Sequence, residues 1–179
     1  MDPVSGVGVL DKSAVILRRL AKGPLDLVGL QAATGLPRAT AHRLAVALET
    51  QGFVRRDSLG RFCLGFELIA LGHAAEQGFP LADLALPSLE GLRDRTGESV
   101  QLFVREHHGR RCVVSLQSAH ALQWLVPAGA LLPLEVGSAG KVLSGDSSLA
   151  ESVEEREVGV ASVSAAVRDR HDEVVAAVI

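Results

Sequence analysis

Arginine spacing gives this sequence its clearest chemical signal. Five arginines stand between positions 38 and 61, in a stretch that holds only two acidic residues. A guanidinium carries a permanent charge and a planar fork of N–H donors, which match phosphate oxygens and the acceptor edge of guanine. Any one of these arginines alone is most simply a solvated surface residue. Five in one short segment instead predict a contact surface for a polyanion, formed by Arg38, Arg43, Arg55, Arg56 and Arg61.

The charge is unevenly distributed along the chain. Residues 1–78 carry nine Lys and Arg against seven Asp and Glu, whereas residues 79–179 carry nine against fourteen. The net charge is −3, which argues against a protein that coats nucleic acid with its whole surface. Aromatic residues make up only 3% of the chain and tyrosine is absent, which argues against RNA recognition by base stacking. The composition predicts a local basic footprint beside an acidic domain.

Helical periodicity predicts three short helices that position the first of these arginines. The first helix ends at Gly23-Pro24, and the second runs from an N-cap at Asp26 to a stop at Gly35. The third begins at Pro37, whose missing N–H does no harm in a first turn. Two helices joined by a tight glycine-containing turn predict a helix-turn-helix. The inner face of the third helix is predicted to consist of Ala41, Leu44, Ala45 and Leu48.

A β-hairpin is predicted to follow the third helix. Two short β-prone runs, residues 53–56 and 61–64, flank a turn at residues 57–60. Such a hairpin is a wing, and its arginines can reach the phosphates or a narrow minor groove of DNA. The start of the third helix can reach base edges in the major groove. The residues predicted to contact duplex DNA are Pro37, Arg38, Thr40, His42, Arg43, Arg55, Arg56 and Arg61.

Two segments carry a family resemblance. GLPRATAHRLAVALETQGFV and RFCLG strongly resemble the winged-helix domain of the IclR family of bacterial transcription regulators. Ala39 departs from the pattern, because the family commonly has serine there, so Ala39 is given no polar role. The resemblance implies a double-stranded DNA operator as partner.

The rest of the chain resembles the effector-binding part of the same family. The matching segments are TGESVQLFVRE, VPAGALLPLEVGSAGKVLSG and EEREVGVASVSAAVRD. The predicted fold is α+β: an N-terminal winged helix-turn-helix at residues 1–65, a linker helix at 66–78 and a C-terminal GAF-like α/β effector-binding domain at 79–179. Within the last part, a helix from Leu81 to Gly97 is expected to kink or split at Pro87. Strands are expected at residues 100–104, 112–116, 158–167 and 174–179.

The sequence Gly137-Ser138-Ala139-Gly140-Lys141 is a second candidate site. It is not a phosphate-binding loop of the nucleotide-hydrolase type, because that motif needs an upstream glycine and a hydroxyl residue after the lysine. It reads as a small-residue turn that opens a helix with free N–H groups, which can bind an anion. The family resemblance places Ser162 across the same cavity. A small organic acid or amino acid is the predicted effector, bound by Leu125, Leu134, Ser138, Ala139, Gly140 and Ser162.

No catalytic residue, metal site or cofactor is predicted. Cys63 and Cys112 belong to no ligand motif, and His107-His108 has no further ligand near it in sequence, so a solvated hairpin tip is the simpler interpretation. The serines near residue 138 and in residues 158–167 lack a nucleophile–base context. Two alternatives stay open: a GAF-like small-molecule-binding protein or enzyme without DNA-linked regulation, and a winged helix that binds protein.

The resemblance also implies an assembly, a location and a metabolic role. Family members pair through the first helix and the linker helix, so a homodimer or tetramer is expected. No signal sequence and no apolar run of about 20 residues is present, which predicts a cytoplasmic protein without a membrane span. The nearest resemblance is to actinobacterial repressors or activators that control amino-acid metabolism, leucine in particular. Family members have further residues near positions 145–152 and after Ile179, so the second domain is expected to be incomplete.

Overall fold

The structure is a computed structural model that describes residues 5–78, 80–107, 109–119, 126–145 and 147–179. The chain divides into two compact units, Met1–Phe79 and Pro80–Ile179. Among the described residues, no helix is both long enough and apolar enough to span a membrane. The first unit contains α1 (Gly8–Leu20), α2 (Leu27–Thr34), α3 (Arg38–Thr50), β1 (Val54–Arg56), β2 (Phe62–Leu64) and α4 (Glu67–Gln77).

Local capping signals set the geometry of the α2–α3 turn. The Asp26 side chain accepts a hydrogen bond from the Gly29 N–H at 2.7 Å, which satisfies one of the free donors at the start of α2. Gly35 ends α2 in the left-handed region with φ 69°, a conformation that costs glycine little. Pro37 then precedes α3 as its N-cap residue. The predicted helix-turn-helix is confirmed, with the start of α3 shifted by one residue.

One apolar core holds the first unit together. All four residues predicted on the inner face of α3 are buried, which confirms that prediction. The hairpin joins the helices because Leu25 and Phe62 exchange two backbone hydrogen bonds of 2.9 and 2.8 Å. This exchange fixes the wing beside the helix-turn-helix. The core comprises Ile16, Leu20, Leu30, Ala41, Leu44, Ala45, Leu48, Val54 and Phe62.

The second unit is a six-stranded antiparallel sheet with helices on both faces. Its elements are α5 (Leu81–Thr96), β3 (Val100–Glu106), β4 (Gly109–Leu116), β5 (Leu131–Leu132), α6 (Ser138–Leu143), β6 (Leu149–Val153), β7 (Ala161–Arg168) and β8 (Val174–Val178). The strand order is β5-β4-β3-β8-β7-β6. Neighbouring residues of a strand face opposite ways. Accordingly, Leu102 packs with α5 and Phe103 with α6. The predicted α+β class is confirmed.

Two details of the second unit differ from the sequence expectations. Pro87 lies inside α5, which runs continuously from Leu81 to Thr96, so the expectation that the helix could split there is wrong. Residues 149–153 form β6 and pair with β7. The sequence does not predict this strand because its apolar Leu149 and Val153 are exposed, while its small Ala150 faces the core.

Candidate functional site

The outward side of α3 presents a cationic surface. We call Arg38, His42 and Arg43 the α3 basic face, since all three side chains are exposed while the opposite side of the helix is buried. Neither arginine side chain of this face makes a hydrogen bond or ion pair with another residue in the described part of the chain. Arg38 and His42 also line a shallow surface depression of 470 Å³ with Leu27 and Ala39. The donors of this face are therefore available to a ligand outside the protein.

The hydrogen-bond donors of Arg55 stay available, whereas Arg56 and Arg61 are engaged by residues of the wing and of α3. Arg55 is exposed, and its guanidinium carbon lies 4.9 Å from the centroid of the Phe66 ring, a cation–π arrangement. Arg56 pairs with Glu49 at 3.2 Å and donates to the Gly60 carbonyl at 3.1 Å. Its guanidinium also lies over the Phe62 ring.

Arg61 is held by Asp57 within the wing turn. One Nη of Arg61 lies 2.7 Å from Asp57 Oδ2, and Nε lies 2.8 Å from the same oxygen. Desolvation acts to raise the pKa of Asp57, but hydrogen bonds from Arg61 and Leu59 outweigh it, so the pKa lies below its usual range. The sequence analysis did not identify Asp57 as a functional residue. The spacing of Asp57 and Arg61 around a four-residue turn is the signal that could have identified it.

The predicted DNA contacts thus lie on two neighbouring elements but differ in availability. Pro37 is exposed at the start of α3, and Thr40 is half-buried one turn before Leu44. Arg38, Arg43 and Arg55 have no carboxylate partner among the described residues. Arg56 and Arg61 each have one.

In the second unit, α6 and β7 bring several predicted effector-site residues together. The Ser138 hydroxyl lies 2.8 Å from the hydroxyl of Ser162 and 2.8 Å from that of Ser164. Ser138 is fully buried, and Ala139 belongs to the core below α6, against which Leu134 packs. Ser164 was not predicted. It lies two residues after Ser162, on the same face of the strand. Leu125 and His108 lie outside the described residues.

The start of α6 carries a carboxylate of the chain itself. The Gly137 N–H donates to Glu155 Oε2 at 3.0 Å, and Lys141 Nζ donates to the other oxygen of the same side chain. The hydrogen bond from Lys141, followed by that from Gly137, holds the pKa of Glu155 below its usual value. The expectation that the N–H groups of this turn are free is therefore wrong at Gly137, and it is also wrong at Gly140, whose N–H donates to the Gly137 carbonyl at 3.1 Å. Glu155, 18 residues further along the chain, occupies the Gly137 donor.

Arg110 lies against the same turn and was missed by the sequence analysis. Its side chain is 1% exposed, and its Nη1 donates to the carbonyls of Pro133 and, at 2.7 Å, Val136. A Cβ at Gly140 would collide with the Leu134 carbonyl and lie 2.7 Å from Arg110 Nη1, so only glycine fits there. Strand alternation was the available signal, because Arg110 and Arg111 are adjacent and must face opposite sides of the sheet.

Among the described residues, no group of three or more His, Cys, Asp and Glu side chains could hold a metal ion. Both cysteines are free and buried. Burial raises the pKa of the Cys112 thiol to about 11, so it stays protonated at neutral pH.

Comparison with known proteins identifies relatives of this chain. The family model for the IclR helix-turn-helix domain matches residues 9–58, which include α3 and its basic face. The Transcriptional repressor IclR of Escherichia coli (strain K12) is 30% identical over 145 residues, which are 78% of this chain and 53% of that protein. Residues 9–58 belong to the IclR helix-turn-helix family. The predicted family resemblance is confirmed.

Further relatives resemble the chain in sequence or in fold. The Glycerol operon regulatory protein of Streptomyces coelicolor is 34% identical over 146 residues, covering 80% of this chain and 58% of that protein. The chain thus spans about half the length of the curated relatives it matches. The fold is that of an IclR homolog complexed with 4-hydroxybenzoate from Microbacterium hydrocarbonoxydans, with a TM-score of 0.74 and 18% identity over 93% of this chain and 87% of that one. One of these two curated relatives is named a transcriptional repressor and the other an operon regulatory protein, and neither name is that of an enzyme.

Proposed function

We propose that this chain is an IclR-family DNA-binding transcriptional regulator whose activity responds to a small organic molecule. The observation that carries the proposal is the α3 basic face, whose arginines are exposed and have no protein partner in the described structure. Donors at the start of such a helix are what base edges in a major groove require. One curated relative is named a transcriptional repressor and the other an operon regulatory protein.

The residues of the first unit take distinct roles in this proposal. Arg38 and Arg43 read base edges or phosphates from α3, with His42 beside them and Pro37 and Thr40 at the phosphate backbone. Arg55 reaches a phosphate from the wing. Arg56 and Arg61 contribute through the hairpin shape that their carboxylate partners hold. Residues 1–65 then act as the DNA-binding domain, 66–78 as the linker and 79–179 as the effector-binding domain.

A symmetric assembly belongs to the same proposal. One winged helix reads only a short half-site, and two are needed for useful specificity over genomic background. Apolar side chains stand exposed on α1, on α4 and immediately before α4, the elements expected to pair: Val9, Leu10, Phe66, Ile69 and Leu71. We propose a homodimer, or a tetramer built from dimers, acting on operator DNA in the cytoplasm. A monomer in multi-angle light scattering at micromolar concentration would contradict this assembly.

The effector is proposed to bind in the second unit near the Ser138–Ser162 pair. Ala139 and Gly140 follow Ser138 on α6, Leu134 packs against the core below that helix, and Leu125 is assigned to the same site from the sequence alone. The Microbacterium homolog in complex with 4-hydroxybenzoate supports a small organic acid as the ligand class. We further propose amino-acid metabolism, leucine in particular, as the regulated pathway. Binding must favour one state of the protein over another to control DNA affinity.

The deciding experiment is DNA binding by the full chain. Fluorescence anisotropy with a labelled duplex from upstream of its own gene, at two salt concentrations, should show specific binding that Arg43→Ala weakens. Arg95→Ala is the matched control, since Arg95 is an exposed arginine on α5. Absence of sequence-specific binding in either salt would instead favour a small-molecule-binding protein without DNA-linked regulation.

A further inference from the structure

Arg110 is the buried cation of the second unit. It has the largest fully buried side chain among the described residues, at 1% exposure. A guanidinium removed from water is strongly destabilising unless a carboxylate or several well-placed acceptors compensate for its lost hydration. The acceptors that the chain supplies to the Arg110 guanidinium therefore decide whether this side chain only supports the fold or can also bind a ligand.

Among the described residues, the direct partners of Arg110 are neutral: two backbone carbonyls and the Phe103 ring, whose centroid lies 5.5 Å from the guanidinium carbon. Its Nη1 donates to the carbonyls of Pro133 and Val136, and its Nε has no hydrogen-bond partner among the described residues. The next residue shows the contrast. Arg111 makes a two-bond pair with Glu106, with Nη2 at 2.8 Å from Oε2, and also donates to the Gly129 carbonyl. One arginine of this adjacent pair is matched by a carboxylate, and the buried one is not.

The surroundings of Arg110 add positive charge. A Cβ built on Gly137 would lie 3.1 Å from Arg110 Nη2 and 3.1 Å from Arg156 Cδ, so both arginine side chains meet at this glycine. Burial and then the charge of Arg156 lower the pKa of Arg110 to about 10, while Glu135 acts in the opposite direction. Arg110 thus remains a cation at neutral pH. Glu155, a second acid at this turn, is engaged by Lys141 and the Gly137 N–H.

We propose that Arg110 binds the carboxylate of the effector, so that the second unit selects carboxylates over neutral molecules of the same shape. This inference rests on the proposed function, because it names the charged contact of the proposed effector site. A guanidinium presents parallel donors that fit a carboxylate, and a low-dielectric site strengthens the pair. Gly137 joins the two features of the site, since Arg110 lies against it and Ser138 with its hydroxyl partners follows it.

The test compares carboxylates with their amides on the full chain. Thermal unfolding and isothermal titration calorimetry are run at constant ionic strength with acetate, 4-methyl-2-oxopentanoate, benzoate and 4-hydroxybenzoate, and with the amide of each. At least one carboxylate should raise the melting temperature of the wild type where its amide does not. Arg110→Gln should weaken binding of that carboxylate by about ten- to hundredfold, and Arg110→Lys by less.

Arg95→Gln is the matched control. Arg95 is an exposed arginine of α5, which packs on the face of the sheet opposite to α6. The variant removes the same charge from the same unit and should leave carboxylate affinity unchanged. Arg110→Gln should also unfold at no lower temperature than the wild type without ligand, because it removes a buried charge that has no carboxylate hydrogen-bonded to it among the described residues. If Arg110 only held the Pro133 and Val136 carbonyls in place, Arg110→Gln would instead unfold at a lower temperature than the wild type.

The inference is overturned if no carboxylate is preferred over its amide, or if Arg110→Gln retains wild-type affinity. Should Arg110→Gln fail to fold, the decision passes to Arg110→Lys, in which an unchanged carboxylate-to-amide ratio and unchanged affinity overturn it. DNA anisotropy of the wild type in the same buffers separates the two proposals. Specific DNA binding without a preference for carboxylates would contradict only the inference about Arg110. A preference for carboxylates without DNA binding would contradict only the proposal that the chain is a DNA-binding regulator.

Discussion

Asp57 and Arg61 form the closing contact of the wing. The Asp57 carboxylate pairs with the Arg61 guanidinium at 2.7 Å, and its other oxygen accepts from the Leu59 and Arg61 N–H groups at 3.0 and 2.9 Å. The arginine that the sequence presents as a free cation is thus part of the turn. Its charge is offset, and its position is set by the hairpin.

This contact predicts the behaviour of the turn in solution. Asp57→Ala should speed amide hydrogen exchange at Leu59 and Arg61, because both N–H groups lose their acceptor. The measurement is residue-resolved exchange by NMR. Ser58→Ala, at an exposed position of the same turn, should leave both rates near wild type. Equal rates in the two variants would show that Asp57 does not hold the turn.

The division among the arginines predicts a graded effect on DNA binding. Arg55→Ala should reduce the slope of log affinity against log salt by about one unit if Arg55 binds a phosphate. Arg38→Ala or Arg43→Ala should cost about 1–3 kcal/mol if they read bases. Arg61→Ala should change the slope less than Arg55→Ala, since Asp57 already offsets its charge. Anisotropy titrations over a salt series measure all four, and wild-type binding in every variant would contradict the assigned interface.

Gly140 predicts a localised packing defect. Gly140→Ala places a methyl group against the Leu134 carbonyl and Arg110, so it should destabilise the second unit by about 1–3 kcal/mol. Urea unfolding followed by the far-UV signal measures the loss. Gly91→Ala is the control on α5, because its added methyl would meet only the flexible end of Arg95. That variant should be neutral or slightly stabilising. A Gly140→Ala protein as stable as the control would contradict the close approach.

The Glu106–Arg111 pair predicts how stability depends on acid. The Arg111 hydrogen bond lowers the pKa of Glu106 below its usual value of 4.5, more than desolvation raises it. A carboxyl group with a depressed pKa in the fold stabilises it above the unfolded value, and this contribution is lost as pH falls through the folded value.

Glu106→Gln should therefore flatten the acid side of the stability profile below about pH 4.5 and reduce stability at pH 7. Thermal unfolding between pH 3 and 7 makes the measurement. Glu90→Gln, at an exposed position of α5, should follow the wild-type profile. An unchanged acid limb in Glu106→Gln would mean that the pair does not contribute to stability.

Sequence reasoning succeeds for the first unit because its signals are local. The Asp26 cap, the left-handed Gly35 and the apolar spacing of α3 each act within a few residues, so they specify the helix-turn-helix without knowledge of the rest of the fold. The exposed arginines of α3 follow at once, since a helix with one buried side must present the other to solvent.

The second unit depends on contacts between distant parts of the chain. β3 pairs with β8 across more than 70 residues, and β6 joins the sheet with its apolar residues facing outward, so neither is readable from a local pattern. The hydrogen-bond partners of Gly137 and Arg110 are likewise residues far away in the sequence that only the fold brings close. By itself the sequence determined which residues carry charge and where helices begin and end. Only the tertiary structure decided which charges are offset and which, like that of Arg110, are not, because compensation depends on what packing brings within hydrogen-bond range.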